Sequence, residues 1–299
     1  MFDQELQDFF RFLQTEKRYS PHTLSNYQRD IQGFIVYCKQ LELNWLSIDN
    51  QHVRSYIAQV HRRGLSGKSI QRLLSSLRSL FRFLLKQRKV KHNPVVGVSA
   101  PKSPRKLPEV LTADTLDHLL SLDKDDPLAI RDMAMMELLY GCGLRLSELT
   151  GLDLNNIEWQ GQTLNVLGKG RKQRRVPFGD KANVALKAWL KIRVSLAAEN
   201  ESAVFVSQRG QRISAGSVQQ RLKKWALEKG LDRNVYPHLM RHSFASHILE
   251  SSHDLRAVQE LLGHANLSTT QIYTHLDFQH LAKVYDSAHP RARKKPVKS

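Results

Sequence analysis

Between Pro237 and Leu276 lie four polar side chains of the types needed to hold and attack a phosphodiester: His238, Arg241, His264 and Tyr273. Arginine offers a permanent charge and a planar fork that grips two phosphate oxygens, and histidine exchanges a proton near neutral pH. Tyrosine carries a hydroxyl able to become the attacking group. Joined by Arg145 and Lys169 upstream, these residues are expected to form one phosphoryl-transfer site. The order is H-x-x-R, then L-G-H, then a tyrosine nine residues after the last histidine.

The flanking pattern supplies elements to position them. His238 and Arg241 are three apart at the start of an apolar-periodic segment (Leu239, Phe244, Ile248, Leu249), so on a helix they share a face. Pro237 suits the first position of that helix, whose N-terminus attracts anions. Leu255, Val258, Leu261 and Leu262 mark the next helix and Gly263 its stop, which leaves His264 in a turn. Ser268 is placed to cap a further short helix with Tyr273 at its far end. Singly, each residue has an ordinary alternative: a hydrogen-bonded surface histidine, or a packing tyrosine with a wet hydroxyl.

The strings GLRLSEL (143–149), GKGRKQRRVP (168–177), HLMRHSFASHILE (238–250), LLGHANLSTTQIYTH (261–275) and LDFQHLAKVYDSAHPRA (276–292) together resemble the tyrosine recombinase, or phage integrase, family. The resemblance spans nearly all of the chain. It implies that Arg145, Lys169, His238, Arg241, His264 and Tyr273 are the catalytic set, with a covalent 3'-phosphotyrosyl intermediate. It implies a mainly α fold, in which an N-terminal helical core-binding (SAM-like) domain and a C-terminal, mostly α catalytic domain with a small antiparallel β-sheet or hairpin clamp double-stranded DNA. It also implies a heterotetramer with a second, related recombinase on a recombination site, a Holliday-junction intermediate and control by a DNA translocase. The biological role implied is the resolution of chromosome and plasmid dimers during chromosome segregation and cell division. The C-terminal helix, Asp277 to Ser287, would pack on a neighbouring subunit, although its periodicity equally fits packing within its own.

The residue types fit that chemistry. Negative charge on a phosphodiester repels nucleophiles and grows on the nonbridging oxygens toward the transition state, so preorganised cations are required. Arg145 and Arg241 can each bond both nonbridging oxygens, with His264 as a further donor. A phenol with a pKa near 10 needs neighbouring positive charge and a proton acceptor before it attacks, and His238 is placed to help accept that proton. Lys169 is the best candidate for the acid that protonates the departing sugar oxygen. A phosphotyrosyl ester conserves the bond energy of the broken strand, so resealing needs no ATP, and the surrounding cations remove the need for a metal or other cofactor.

Composition sets bounds. The chain has 299 residues, 46 Lys and Arg against 28 Asp and Glu, and a formal net charge of +18. That balance favours a polyanionic partner, although a merely basic or ribosome-associated protein carries the same signal. Only Cys38 and Cys142 occur, far apart in apolar surroundings, which fits a reducing cytoplasm. No run approaches membrane-spanning length and the N-terminus does not resemble a signal peptide, so a cytoplasmic protein without membrane insertion is expected.

Taken in order, residues 1–91 read as four amphipathic helices with short loops, an N-terminal DNA-binding domain. Its basic residues from Arg62 onward have almost no acidic neighbours, which singles out Arg72 and Arg78 as phosphate contacts. Residues 92–108, HNPVVGVSAPKSPRKLP, read as a stiff, extended linker whose Lys102 and Arg105 suit a nucleic-acid backbone. Residues 109–299 form the second domain. There Thr112 and Asp126-Pro127 open helices, and Gly141-Cys142-Gly143 precedes Arg145, for which a simple pairing with Glu148 is an alternative role. Strands are expected at Thr163–Leu167 and Arg174–Pro177, with a shorter one at Val204–Val206. The turn between the first two carries Lys169 and Lys172 and is either solvated decoration or a phosphate-reaching finger.

Three rival readings stand beside the recombinase. His238 and His242 are spaced as metal ligands with His247, His253 and His264 nearby, but Arg241 would oppose a cation and no H-E-x-x-H motif is present. The others are a DNA-binding regulator without catalysis and a type IB topoisomerase-like relaxing enzyme.

Overall fold

A computed structural model describes residues 2–101, 109–121, 126–168, 173–263 and 275–292, with backbone only at 22 and 275–280. The chain divides into two compact units, Met1–Leu107 and Pro108–Ser299.

The first unit holds α1 (Asp3–Thr15), α2 (Pro21–Gln40), α3 (Asn50–Arg62) and α4 (Gly67–Lys86). Local chemistry fixes each start. Ser20 accepts a bond from the Thr23 amide ahead of Pro21, Ser66 accepts from the Ser69 amide, and Asp49 with His52 forms a reciprocal capping box. One face of α4 (Ile70, Leu73, Leu74, Leu77, Leu80, Phe81, Leu84) is buried against Leu6, Phe9, Phe34 and Ile57.

The segment expected as an extended linker is not extended at its start. Val95 and Val98 are buried in the first unit's core, and Asn50 Nδ2 donates to the carbonyls of Pro94 (3.2 Å) and Val96 (2.9 Å). Two apolar side chains within easy reach of α3 and α4 gain more by burial than by solvation, and Asn50 satisfies the backbone they bring along. Residues 102–108 lie outside the described residues, and Lys102 and Arg105 with them.

The second unit contains α5 (Ala113–Leu119), α6 (Pro127–Gly141), α7 (Leu146–Thr150), the strands β1 (Ile157–Glu158), β2 (Thr163–Leu167) and β3 (Gln173–Pro177), then α8 (Asp180–Leu196), α9 (Ala215–Glu228), α10 (Pro237–Ser252), α11 (Leu255–Leu262) and α12 (His275–Ala288). The fold is mainly helical with one small antiparallel sheet, in the order β1-β2-β3. Every residue of α6 from Ala134 to Gly141 is buried, so this helix is the axle of the unit, packed by α8 and α10. Its acidic residues are matched inside: Asp132 accepts from Arg131, Arg221 and Trp225 Nε1, and Glu137 from Arg291.

One expectation changes here. Val204–Val206 is not a strand among the described residues: the Val204 carbonyl goes to Trp189 Nε1 (2.8 Å) and that of Val206 to Arg131 (3.1 Å), leaving an isolated bridge to Arg212. In the chain by itself the C-terminal helix packs on its own unit, the second of the two arrangements its periodicity fits, with Leu281, Tyr285 and Ala288 in the core. Tyr285 Oη accepts the Gly179 amide at 3.0 Å and the Ala292 carbonyl accepts the Asp180 amide at 2.9 Å, which fastens the end of α12 to the start of α8. A helix with a continuous apolar stripe takes the nearest apolar surface, and in the chain by itself that surface is its own.

Candidate active site

Arg145 stands at the N-cap of α7, two residues after Gly143, whose φ is +58. A Cβ at Gly143 would fall 2.5 Å from the Phe244 ring, so both the backbone angle and the close approach require glycine there. The tight turn aims the Gly143 carbonyl at Arg241, whose Nη1 donates to it. Arg241 Nη2 donates to the Leu262 carbonyl at 2.5 Å, and Arg145 Nη2 to the Gly263 carbonyl at 3.1 Å. Two arginines far apart in sequence therefore meet at the C-terminal end of α11, where unsatisfied carbonyls and the helix dipole favour cations. Gly263, at φ +63, ends that helix in the left-handed conformation.

Glu148 binds the cluster together. Its carboxylate accepts from Arg145 Nη1 (2.8 Å) and the Arg145 amide (2.8 Å), and from Arg174 Nη1 (2.5 Å) and Nη2 (2.9 Å). Arg241 Nη1 lies 3.9 Å from the same group. Burial opposes the charge on Glu148, yet Arg174 and Arg145 hold its pKa below the usual carboxylate range. Burial pulls the Arg241 guanidinium down to about 9, with Arg145 and Arg174 pushing the same way and Glu148 opposing. Three guanidiniums around one carboxylate leave an excess of positive charge in a site shielded from water, the condition under which an anion is held most strongly. Arg145 keeps 31% of its side chain exposed against 7% for Arg241, so Arg145 is the cation that solvent reaches.

The pairing of Arg145 with Glu148, read from the sequence as an alternative to a site role, is present and is part of the cluster. His238 sits exposed in the first turn of α10, one turn ahead of buried Arg241. Lys169, Lys172, His264 and Tyr273 lie outside the described residues. Of the histidines weighed as metal ligands, His247 is buried against Tyr140, its Nδ1 2.8 Å from the Tyr140 hydroxyl, and His253 forms the left-handed C-cap of α10.

Two cluster members, Glu148 and Arg174, were not singled out as site residues from sequence. A signal existed for each: Glu148 falls at the capping-box distance from Arg145, and Arg174 shares strand parity with buried Val176 while Arg175 and Gln173 face out. In the first unit, Arg72 forms a bidentate pair with Asp30 (2.9 and 2.8 Å), and Arg78 donates to the Val98 carbonyl at 2.5 Å.

The phage integrase family profile matches residues 109–280, and that of the phage integrase N-terminal SAM-like domain matches residues 6–88. The chain belongs to the phage integrase family. It is 50% identical over 291 residues to the tyrosine recombinase XerC of Escherichia coli O157:H7, covering 97% of both proteins. It is also 50% identical over 296 residues to XerC of Alcanivorax borkumensis, covering 98% of this chain and 95% of the relative. Among solved structures, XerH site-specific recombinase in a post-cleavage complex with a palindromic difH substrate matches with a TM-score of 0.68 at 25% identity, over 88% of this chain and 79% of that one. A lambda integrase dimer bound to a COC' core site shares the fold, with a TM-score of 0.69 at 20% identity over 90% and 98% of the two chains. The chain is thus a tyrosine recombinase, an enzyme of DNA strand cleavage and rejoining.

Proposed function

We propose that Arg145, Lys169, His238, Arg241, His264 and Tyr273 carry out that reaction, and that the arginine cluster is the cradle for the scissile phosphate. The observation carrying this reading is the convergence of Arg145 and Arg241 on the carbonyls of Gly263 and Leu262, immediately before His264 in sequence. The Tyr273 oxygen attacks phosphorus, the bond from phosphorus to the 5' oxygen breaks, and Lys169 delivers a proton to that oxygen while His238 assists removal of the phenolic proton. Arg145, Arg241 and His264 stabilise the charge on the nonbridging oxygens. Attack by a 5' hydroxyl on the phosphotyrosyl ester reverses each bond change, which gives strand exchange without a cofactor.

The DNA-binding domain read as 1–91 takes in Val95 and Val98 as well, the catalytic domain is 109–299, and Arg72, Arg78, Lys102, Arg105 and Lys172 touch the DNA backbone. By analogy with the XerC relatives, the partners are a double-stranded recombination site and a XerD-like recombinase in a heterotetramer, regulated by a DNA translocase. The setting is the cytoplasm, where Cys38 and Cys142, both free and buried, stay reduced. No helix among the described residues is long and apolar enough to cross a membrane.

A nicked suicide substrate tests the reading. Wild-type protein should form a DNA adduct that survives denaturation and maps to position 273, and Tyr273→Phe should form none. Lys169→Ala should be slow on normal DNA and recover on a bridging phosphorothiolate, whose leaving group needs no acid. Denaturant-labile binding alone would make the chain a regulator, and an adduct mapped to another residue would overturn the assignment.

A further inference from the structure

Arg174 is the one arginine of the cluster with no role in the site proposed above, and it lies beneath both groups that hold Arg145. Its guanidinium grips Glu148 with two bonds of 2.5 and 2.9 Å, and Glu148 Oε1 is the acceptor for Arg145 Nη1. Its Cδ, Nε and Cζ lie 2.9, 3.1 and 3.3 Å from where a Cβ on Gly263 would be, and the Gly263 carbonyl is the acceptor for Arg145 Nη2. The backbone of Gly263 therefore rests on the Arg174 side chain, and only a residue without a side chain can rest so close. Arg174 is itself 8% exposed, and its Nε is buried with no hydrogen-bond partner among the described residues.

We propose that Arg174 is a positioning residue for Arg145: it pins the Glu148 carboxylate and underlies the backbone of Gly263, the two residues whose oxygens aim the Arg145 fork. This rests on the reading that Arg145 grips the scissile phosphate. The chemistry is that of a shared anion. With Arg174 in place, Glu148 has one bidentate cation and Arg145 is left to supply a single Nη1 bond. Without it, Glu148 is a buried carboxylate whose nearest cations are Arg145 and Arg241, so it draws the Arg145 guanidinium inward and away from solvent. Lysine in place of Arg174 keeps a charge but not the fork, and a point charge cannot hold both carboxylate oxygens and underlie Gly263 at once.

Displacing a phosphate-gripping group by about 1 Å costs on the order of 100-fold in rate. The test is single-turnover cleavage of the suicide substrate by R174K and R174M, alone and with Arg145→Ala, on a normal scissile phosphate and on a methylphosphonate there. A methylphosphonate carries no charge and has lost one nonbridging oxygen, so it depends less on the arginine fork. On the phosphodiester R174K should be slower by about 10-fold and R174M by about 100-fold, with DNA affinity within about 3-fold of wild type. On the methylphosphonate both defects should shrink, and in the Arg145→Ala background the Arg174 change should add little, since both act through one group. R174K, which keeps a cation beside Glu148, covers the case in which R174M fails to fold. Wild-type cleavage by R174K, equal defects on the two substrates, or full additivity with Arg145→Ala would each overturn the assignment. Absence of a Tyr273 adduct from the unmutated protein would instead bring down the functional reading on which it rests.

Discussion

The Gly143 carbonyl receives the guanidinium of Arg241 across 98 residues of sequence, and glycine is required at that point by its φ of +58 and by the Phe244 ring beneath it. Gly143→Ala would place a methyl group 2.5 Å from Phe244 Cδ1 in a backbone conformation costly for alanine. The expected loss is about 1–3 kcal/mol in urea unfolding, with a fall in cleavage rate because the carbonyl must shift. Unchanged stability and rate would mean that the ring and the turn yield at no cost.

Arg241→Lys should reduce single-turnover cleavage by at least about 100-fold, the usual cost of removing a preorganised donor from a reacting phosphate or oxyanion. One ammonium cannot reach the Gly143 and Leu262 carbonyls together and still face a ligand. DNA affinity, measured by gel shift, should change by less than about 5-fold, because most phosphate contacts lie elsewhere. A rate loss under about 10-fold would place Arg241 outside the reacting centre.

Arg72 pairs with Asp30, whose side chain is 8% exposed against 42% for Arg72, so one edge of the guanidinium remains open to solvent. Arg72→Ala should weaken DNA binding equally across sequences and lower the slope of log affinity against log salt by about one. Asp30→Asn in the same background restores folding stability without restoring the slope. A slope that does not move assigns Arg72 to Asp30 alone.

His289 is 5% exposed, stacked on Tyr285 and packed against the tilted rings of Tyr140 and Phe244, and its burial, beside His247 and Arg291, lowers its pKa to about 3. In the unfolded chain the imidazole protonates below about pH 6.5. Between those values the unfolded state binds the extra proton, so stability is full above the unfolded pKa and falls as pH falls toward the folded one. His289→Phe keeps a ring in the stack and removes the proton site. Wild type should lose up to about 1.4 kcal/mol per pH unit more than this variant between about pH 6 and pH 4. Parallel stability curves would show that His289 does not titrate on unfolding.

Much of this protein is legible in the order of its residues. Caps at Ser20, Asp49, Ser66 and Thr112, prolines at 21, 127 and 237, and apolar spacing set where helices begin and which faces they bury, because these are interactions between near neighbours. The residue types and spacing of Arg145, His238 and Arg241 likewise point to phosphate chemistry before any coordinate is known. Packing alone decided that Arg145 and Arg241 end on the same helix terminus, that Glu148 is shared with Arg174 from a strand 26 positions away, and that α12 lies on its own unit. A carboxylate among several arginines chooses its partners by distance and burial, quantities that a linear pattern does not contain and that only the folded chain supplies.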